Sequence, residues 1–404
     1  MTGIYQVDPY LLQYRTNVKG FIEDQDKTGI LFEETIFYPE GGGQPSDRGT
    51  LVCDARRTSH EVLHVEQRPE GIVHWIAGSL KPTIGASVLL TVDAERRQDH
   101  MQQHHGQHIL SAVFERNYGW DTVGFHLGPE TSTIDLTVGD ISQDVLQEVE
   151  LEVNRIIMEN IPVKTEYYKR EDLGQELIKK LPSDQNEVRL VVIPGIDENA
   201  CCGTHPQRTG EVGPCKILKI EKLRGNIRLS FICGERTIAW MRQTADTLHQ
   251  LEKAIGASGN EALIRLEKRE VELKKLQKER KELLSLKYRY LAKELATEAI
   301  SSGETSILIQ HFSEADMEML RGVATSWCAQ SGRVAVLMGG TGPFDVVMAR
   351  GSGVATSMNS VAAELWPVLE GKGGGSAELV QGKAQKLPVE QLKEMVASAI
   401  NRKP

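Results

Sequence analysis

The sequence predicts an α+β protein of four consecutive parts, and three observations carry that reading. Residues 1 to about 92 hold short apolar runs separated by Gly, Pro and Asp, the pattern of a small N-terminal β-barrel. From Asp93 the apolar period becomes helical and then alternates with strands to about residue 234, which predicts a two-layer α/β domain. Residues 235–299 form a highly charged helical arm, and residues 300–404 return to compact α/β patterning. A length of 404 residues suits such a division, since ordinary domains are of order 100–200 residues.

In the first part, Leu51-Val52-Cys53, Val62-Leu63-His64-Val65, Ile72-Val73-His74-Trp75-Ile76 and Val88-Leu89-Leu90-Thr91-Val92 read as strands. Before them lies Phe37-Tyr38-Pro39-Glu40-Gly41-Gly42-Gly43-Gln44-Pro45, too rich in glycine for a strand and expected to be a tight loop. Asp93 reads as an N-cap for the helix that follows. Ile141, Val145, Leu146, Val149, Val153, Ile156 and Ile157 mark one apolar helix face. Val188 to Ile193 reads as a buried strand ending at Pro194-Gly195, and Ile227 to Ile232 as another. In the arm, Gly256-Ala257-Ser258-Gly259 divides two helices. The second carries Leu263, Leu266, Leu273, Leu276, Leu283, Leu284 and Leu291, a stripe interrupted by Arg269 and Arg280. A helical hairpin or short coiled coil follows, as a solvated spacer or as a dimerisation arm. In the last part Ile307 to Ile309, Val334 to Met338 and Phe344 to Met348 read as strands, Gly371 to Gly375 as a glycine-rich loop, and a final helix starts after Pro388.

Composition excludes several classes. No run of eighteen apolar residues occurs, so no transmembrane helix and no membrane partner are expected. The first eight residues lack a basic and an apolar segment, which argues against secretion. Six cysteines in 404 residues make no disulfide framework, so a reducing, cytoplasmic location is expected. The net charge is −9, from 47 basic and 56 acidic side chains. A purely electrostatic nucleic-acid binder would be basic, so any RNA recognition must rest on local contacts.

Two short segments carry chemistry. His104 and His108 stand four apart in a predicted helix, so both reach one side of it and can share a metal ion. His105 follows His104 where a zincin would have its glutamate, which disfavours a metalloprotease. Cys201 and His205 also stand four apart, but Gly203 and Pro206 place them in a loop after the strand at 188–193. A thiolate with three imidazoles favours zinc over magnesium or calcium and completes a tetrahedral set. The other reading is core histidines and a buried thiol.

These motifs resemble the editing domain shared by alanyl-tRNA synthetases and the freestanding AlaX proteins. The resemblance extends through Thr35 to Gln44 and through Thr209-Gly210-Glu211-Val212-Gly213. Gly371 to Gly375, with Gln381-Gly382, looks like the DHH-associated domain that closes alanyl-tRNA synthetases. Only about 92 residues precede Asp93, too few for an aminoacylation domain, so the architecture resembles the long AlaX type. The parts are then a β-barrel domain at 1–92, a zinc-containing editing domain at 93–234, the arm at 235–299 and a DHH-associated-like domain at 300–404. The resemblance implies trans-editing hydrolysis of the ester on mischarged alanine tRNA, carrying chiefly serine, with glycine as a second candidate. It implies zinc on His104, His108, Cys201 and His205, either activating water or positioning the tRNA end. Thr35 and Gln44 are expected to act on the substrate, with the Thr35 hydroxyl rewarding the serine side chain. Gly41, Gly42, Gly43, Thr204 and Lys372 are expected at substrate, although the glycines could form only a turn and the Lys372 segment could serve helix packing. A homodimer through the arm or the C-terminal domain is a further expectation of this reading. The alternative class is a non-catalytic RNA or protein-interaction module with a structural zinc.

The sequence also departs from the resemblance. Cys202 stands where a glycine is usual, Ser376 where a basic residue is common, and His105 adds an imidazole. At its helical position His105 faces away from His104, and a surface role is expected.

Overall fold

The computed structural model describes residues 3–24, 27–53, 58–78, 80, 82–172 and 187–402. The chain divides into two compact units, Met1–Gln250 and Leu251–Pro404. The first begins with a closed barrel of β1 (Gln13–Asp24), β2 (Lys27–Phe32), β3 (Gly49–Cys53), β4 (Thr58–Arg68), β5 (Gly71–Ala77) and β6 (Ser87–Val92). Its order is β1-β2-β5-β4-β3-β6, all pairs are antiparallel, and β1 closes the ring on β6. Val18, Ile30, Phe37, Leu51, Val62, Ile76 and Leu90 fill its interior. Closure leaves no free edge.

Asp93 caps α1 (Ala94–Tyr118) by accepting from the Arg96 N–H at 3.1 Å, and Gly119 ends it in the left-handed conformation. Next come β7 (Thr122–Leu127), β8 (Ser132–Leu136) and α2 (Gln143–Met158), with the α2 N-cap supplied by Ser142. Strands β9 (Lys164–Lys169), β10 (Glu187–Ile193) and β11 (Asp197–Ala200) form a three-stranded sheet with β10 central. Strands β12 (Cys215–Lys222) and β13 (Ile227–Cys233) join β8 and β7 in a four-stranded sheet, order β12-β13-β8-β7. The expected face of α2, through Leu146, Val149, Val153, Ile156 and Ile157, packs with Ile109, Val113 and Phe114 of α1 on Ile134, Leu229 and Phe231 of this sheet.

Helix α1 is the unusual element. Its segment from His100 to Phe114 is almost wholly buried although it contains four histidines and three glutamines. Two of the glutamines are paired with distant segments. Gln103 donates to the Cys233 carbonyl at 2.9 Å and accepts from the Cys233 N–H at 2.9 Å. Gln102 donates to Glu211 O and accepts from Glu235 N, both at 3.2 Å. Gly106 admits Cys233, whose Sγ would lie 2.3 Å from any added Cβ. Buried polar side chains are stable when paired in this way.

Helix α3 (Glu235–Ile255) is followed by α4 (Gly259–Glu294), so the break, Gly256 to Ser258, falls inside the expected segment. Leu284 and Leu291 of α4 pack on the core of the second unit, while Leu263, Leu266, Leu273, Leu276 and Leu283 are exposed. That unit holds β14 (Ile300–Ser302), β15 (Thr305–Phe312), α5 (Met317–Cys328), β16 (Arg333–Gly339), β17 (Phe344–Arg350), α6 (Met358–Leu369), β18 (Lys372–Gly375), β19 (Leu379–Ala384) and α7 (Val389–Asn401). Its sheet order is β14-β15-β16-β17-β19-β18, with β15 and β16 parallel across α5. Ile307, Ile309, Val334, Val336 and Met348 face α6 and α7, and Leu308, Ala335, Leu337 and Val347 face α4 and α5. This is the period-two alternation of a sheet buried on both faces.

One expectation is corrected here. Gly371 to Gly375 is not a loop; residues from Lys372 form an edge strand paired with β19. Trp366 of α6 lies across it, so a Cβ on Gly371, Gly373 or Gly382 would fall 2.7–2.9 Å from the indole. The glycines there make room for a tryptophan over a close strand pair, which composition alone reads as a loop.

Candidate metal centre and its surroundings

Helix α1 and the loop after β11 bring four donors together. One ligand atom from each of His104, His108, Cys201 and His205 lies within 4.8 Å of all the others. Cys201 Sγ is 3.4 Å from His104 Nε2 and 3.2 Å from His205 Nε2. The loop is held by Arg189 of β10, whose Nη1 donates to the carbonyls of Cys201 at 2.7 Å and Gly203 at 3.0 Å. Gly203 must be glycine, because a Cβ would sit 2.2 Å from His104 Cε1 and 2.8 Å from Gln44 Oε1.

Each histidine is also held at its second nitrogen. His104 Nδ1 donates to Gln44 Oε1 at 2.7 Å. His108 Nδ1 lies 2.9 Å from Asp197 Oδ2. His205 Nδ1 lies 3.0 Å from His105 Nδ1. Partners at the far nitrogen fix which ring nitrogen faces a metal, and such an arrangement fits a histidine-ligated ion.

The electrostatics agree. Burial alone would raise the Cys201 thiol, but the His104 and His205 imidazoles pull it well below its ordinary value, toward the thiolate a metal needs. Burial pushes His205 down to about 3, so it is neutral and able to ligate. Burial also opposes charge on His108, but Asp197 and Cys201 overcome it and carry the value up to about 10. To hold a cation at Nε2, His108 would have to give up that proton.

Gln44 and Thr204 are tied into the cluster. Gln44 is fully buried; its Oε1 also accepts from the Thr204 N–H at 3.3 Å, and its Nε2 donates to Thr204 Oγ1 at 3.0 Å. Gln44 closes the glycine turn, exchanging backbone hydrogen bonds with Gly41 at 2.9 and 3.1 Å. Gly42 and Gly43 are exposed with φ of +56° and +81°, and Gly43 O accepts from the Leu127 N–H at 3.1 Å. A Cβ on Gly43 would strike Phe125 O at 2.7 Å. Phe125 stacks on His104 with centroids 5.3 Å apart, so the turn borders the cluster.

Thr35 is placed differently. His74, buried and lowered to about 4 by burial, donates from Nδ1 to Ile30 O at 3.1 Å. Its Nε2 therefore accepts from the Thr35 hydroxyl at 2.8 Å, while Thr35 Oγ1 accepts from the Phe37 N–H at 3.0 Å. Among the described residues, one lone pair of Thr35 Oγ1 has no donor. Lys372 lies in the second unit, exposed on the edge strand β18. Cys202 is exposed, and its carbonyl accepts from Gln6 Nε2 at 3.1 Å.

The expectation for His105 is corrected: it is fully buried. The helix around it is covered on all sides, so facing away from His104 does not mean facing solvent. Asp197, Arg189 and the partnership of His105 with His205 have no counterpart in the sequence reading. For Asp197 no signal exists, since a lone acid at the start of a short strand has no pattern.

A model of the threonyl and alanyl tRNA synthetase second additional domain matches residues 188–229, the segment with Cys201 and His205. A model of class II (A) tRNA synthetases matches residues 9–96. With the His/Cys cluster, these matches define a protein of the synthetase-related type. Alanyl-tRNA editing protein AlaX-L of Pyrococcus horikoshii is 30% identical over 96% of this chain and 95% of its own. Alanyl-tRNA editing protein Aarsd1 of Mus musculus is 32% identical over 89% and 85%. The alanine–tRNA ligase of Korarchaeum cryptofilum is 33% identical over 70% of this chain but 32% of its own. The chain belongs to the alanyl-tRNA editing protein family. The solved C-Ala domain of Aquifex aeolicus alanyl-tRNA synthetase covers 26% of this chain at 20% identity with a TM-score of 0.25, too low to bear on the fold.

Proposed function

We propose that the protein is an aminoacyl-tRNA deacylase that hydrolyses, in trans, the ester of mischarged alanine tRNA, with serine as the first substrate and glycine as the second. The convergence of His104, His108, Cys201 and His205 beside the exposed Gly42–Gly43 backbone carries this reading, in a chain whose relatives are named alanyl-tRNA editing proteins. Water adds to the ester carbonyl carbon, the bond to the ribose oxygen breaks, and that oxygen takes the proton. Free amino acid and intact tRNA result.

A donor set of three imidazole nitrogens and one thiolate sulfur suits zinc, which when bound supplies Lewis-acid charge at the cluster. Gln44 acts through His104 and Thr204, holding both where the substrate end arrives. The Gly41-Gly42-Gly43 turn, having no side chains, lets the tRNA terminus lie against backbone N–H groups. Lys372 in the second unit is assigned to tRNA phosphate. The four-part division at 92, 234 and 299, with a DHH-associated-like C-terminal domain, and dimerisation through the arm or that domain belong to the same reading, as does action in the cytoplasm. Among the described residues no helix is long and apolar enough to cross a membrane. The alternative of a non-catalytic module with structural zinc fits the relatives' names less well.

Selection is assigned to Thr35. Serine exceeds alanine by one hydroxyl, so exclusion by size cannot spare the correct product. The unused lone pair of Thr35 Oγ1 can accept that hydroxyl, and a polar site of this kind can discriminate by roughly 10⁴, against ~10² for an apolar slot. The test is hydrolysis of seryl- and alanyl-tRNA by the wild type and by Thr35→Val. The wild type should release serine well above the spontaneous rate, and the variant should lower the seryl-to-alanyl rate ratio at least ~10-fold. Spontaneous-rate loss with the wild type contradicts the deacylase. An unchanged ratio removes Thr35 from selection and leaves it as the partner of His74.

A further inference from the structure

His105 stands beside the cluster without belonging to its donor set. It is 0% exposed, and its ring edge meets His205 with centroids 5.3 Å apart and planes at 77°. Its Nδ1 lies 3.0 Å from His205 Nδ1, and its Nε2 has no hydrogen-bond partner among the described residues. A side chain present only to fill space would not be chosen this way. A half-satisfied buried imidazole is costly, and an apolar residue of similar volume avoids that cost.

Two facing nitrogens can share only one hydrogen. His205 turns Nε2 toward Cys201 Sγ at 3.2 Å, and so toward the centre of the donor set. An imidazole that ligates through Nε2 keeps its hydrogen on Nδ1. That Nδ1–H needs an acceptor, and His105 Nδ1 is the atom in place.

We propose that His105 is a positioning residue for the metal centre: it accepts the Nδ1–H of His205 and so fixes the tautomer and ring orientation that leave His205 Nε2 for the ion. The inference rests on the metal reading above. It gives His205 what Gln44 gives His104 and Asp197 gives His108. The supporting group is here a fourth imidazole, on the residue that follows the ligand His104 in the same helix.

Side-chain length separates positioning from packing. The Oδ1 of asparagine stands two bonds from Cβ, as Nδ1 of histidine does; the Oε1 of glutamine stands three bonds away, where Nε2 was. Zinc affinity of the full-length protein is measured by competition with a chelator for wild type, His105→Asn, His105→Gln and His105→Leu. His105→Leu and His105→Gln should bind zinc 10–100-fold more weakly, and His105→Asn within about threefold of wild type. Melting of the metal-free forms should not separate Asn from Gln. If His105→Leu does not fold, the Asn and Gln pair decides. Equal affinity of those two, whether both like wild type or both weakened, overturns the proposal while leaving the metal reading intact. A wild type that binds no zinc overturns both.

Discussion

Replacing Cys201 with alanine is expected to lower zinc content from about one ion per chain to well below that and to reduce seryl-tRNA deacylation by ~10²-fold or more. A bound Lewis acid is worth several kcal/mol, and each 1.36 kcal/mol is tenfold in rate. Cys201 matters more than any one imidazole here, since it supplies the only negative charge among the four donors and lies near His104 and His205 together. Elemental analysis alongside the deacylation assay checks this. Undiminished zinc in the variant would show that the ion is held elsewhere.

The largest stability effect is expected at Arg97. Its guanidinium and the Asp47 carboxylate are both almost fully buried, with Nε 3.1 and 3.2 Å from the two carboxylate oxygens. The same guanidinium donates to Pro9 O and Ile36 O, each at 2.7 Å. Asp47 in turn accepts from the Tyr38 N–H at 2.6 Å. Arg97 therefore clamps both ends of the segment that carries Gln44. Arg97→Ala leaves a buried carboxylate without its partner and should destabilise the protein by ~3–5 kcal/mol. Denaturant unfolding measures it, and deacylation should fall as well because the Gln44–His104 contact loosens. A loss below about 1 kcal/mol is the level of an exposed pair and would mean that Arg97 does not serve as this clamp.

How much of this is legible in the sequence depends on whether the signal is local. His104 with His108, and Cys201 with His205, are local spacings in a helix and a loop, and both survive as one cluster. Strands such as Val334 to Met338 are apolar runs and are visible for that reason. The long β1 escapes a reading of the sequence because Gln13–Asp24 is polar on most of its surface, with burial concentrated at Thr16 and Val18. The depth of α1 escapes it for a different reason. Hydrophobic period measures burial only when buried means apolar, and here Gln102, Gln103, His105 and Gly106 are buried because each meets a matched partner from a distant segment. Asp197 and Arg189 are of the same kind: their parts exist only after β10, β11 and α1 have met. The glycines of β18 mislead in the opposite direction, because no local pattern says that the Trp366 indole will lie across them.

The proposed zinc on His104, His108, Cys201 and His205 has a distinctive set of neighbours, three nitrogens and one sulfur. X-ray absorption at the zinc edge of the purified full-length protein reads those neighbours. The nitrogens are expected at about 2.0–2.1 Å and the sulfur at about 2.3 Å. A shell without sulfur, or one with two or more sulfurs, would mean that these four side chains do not hold the ion.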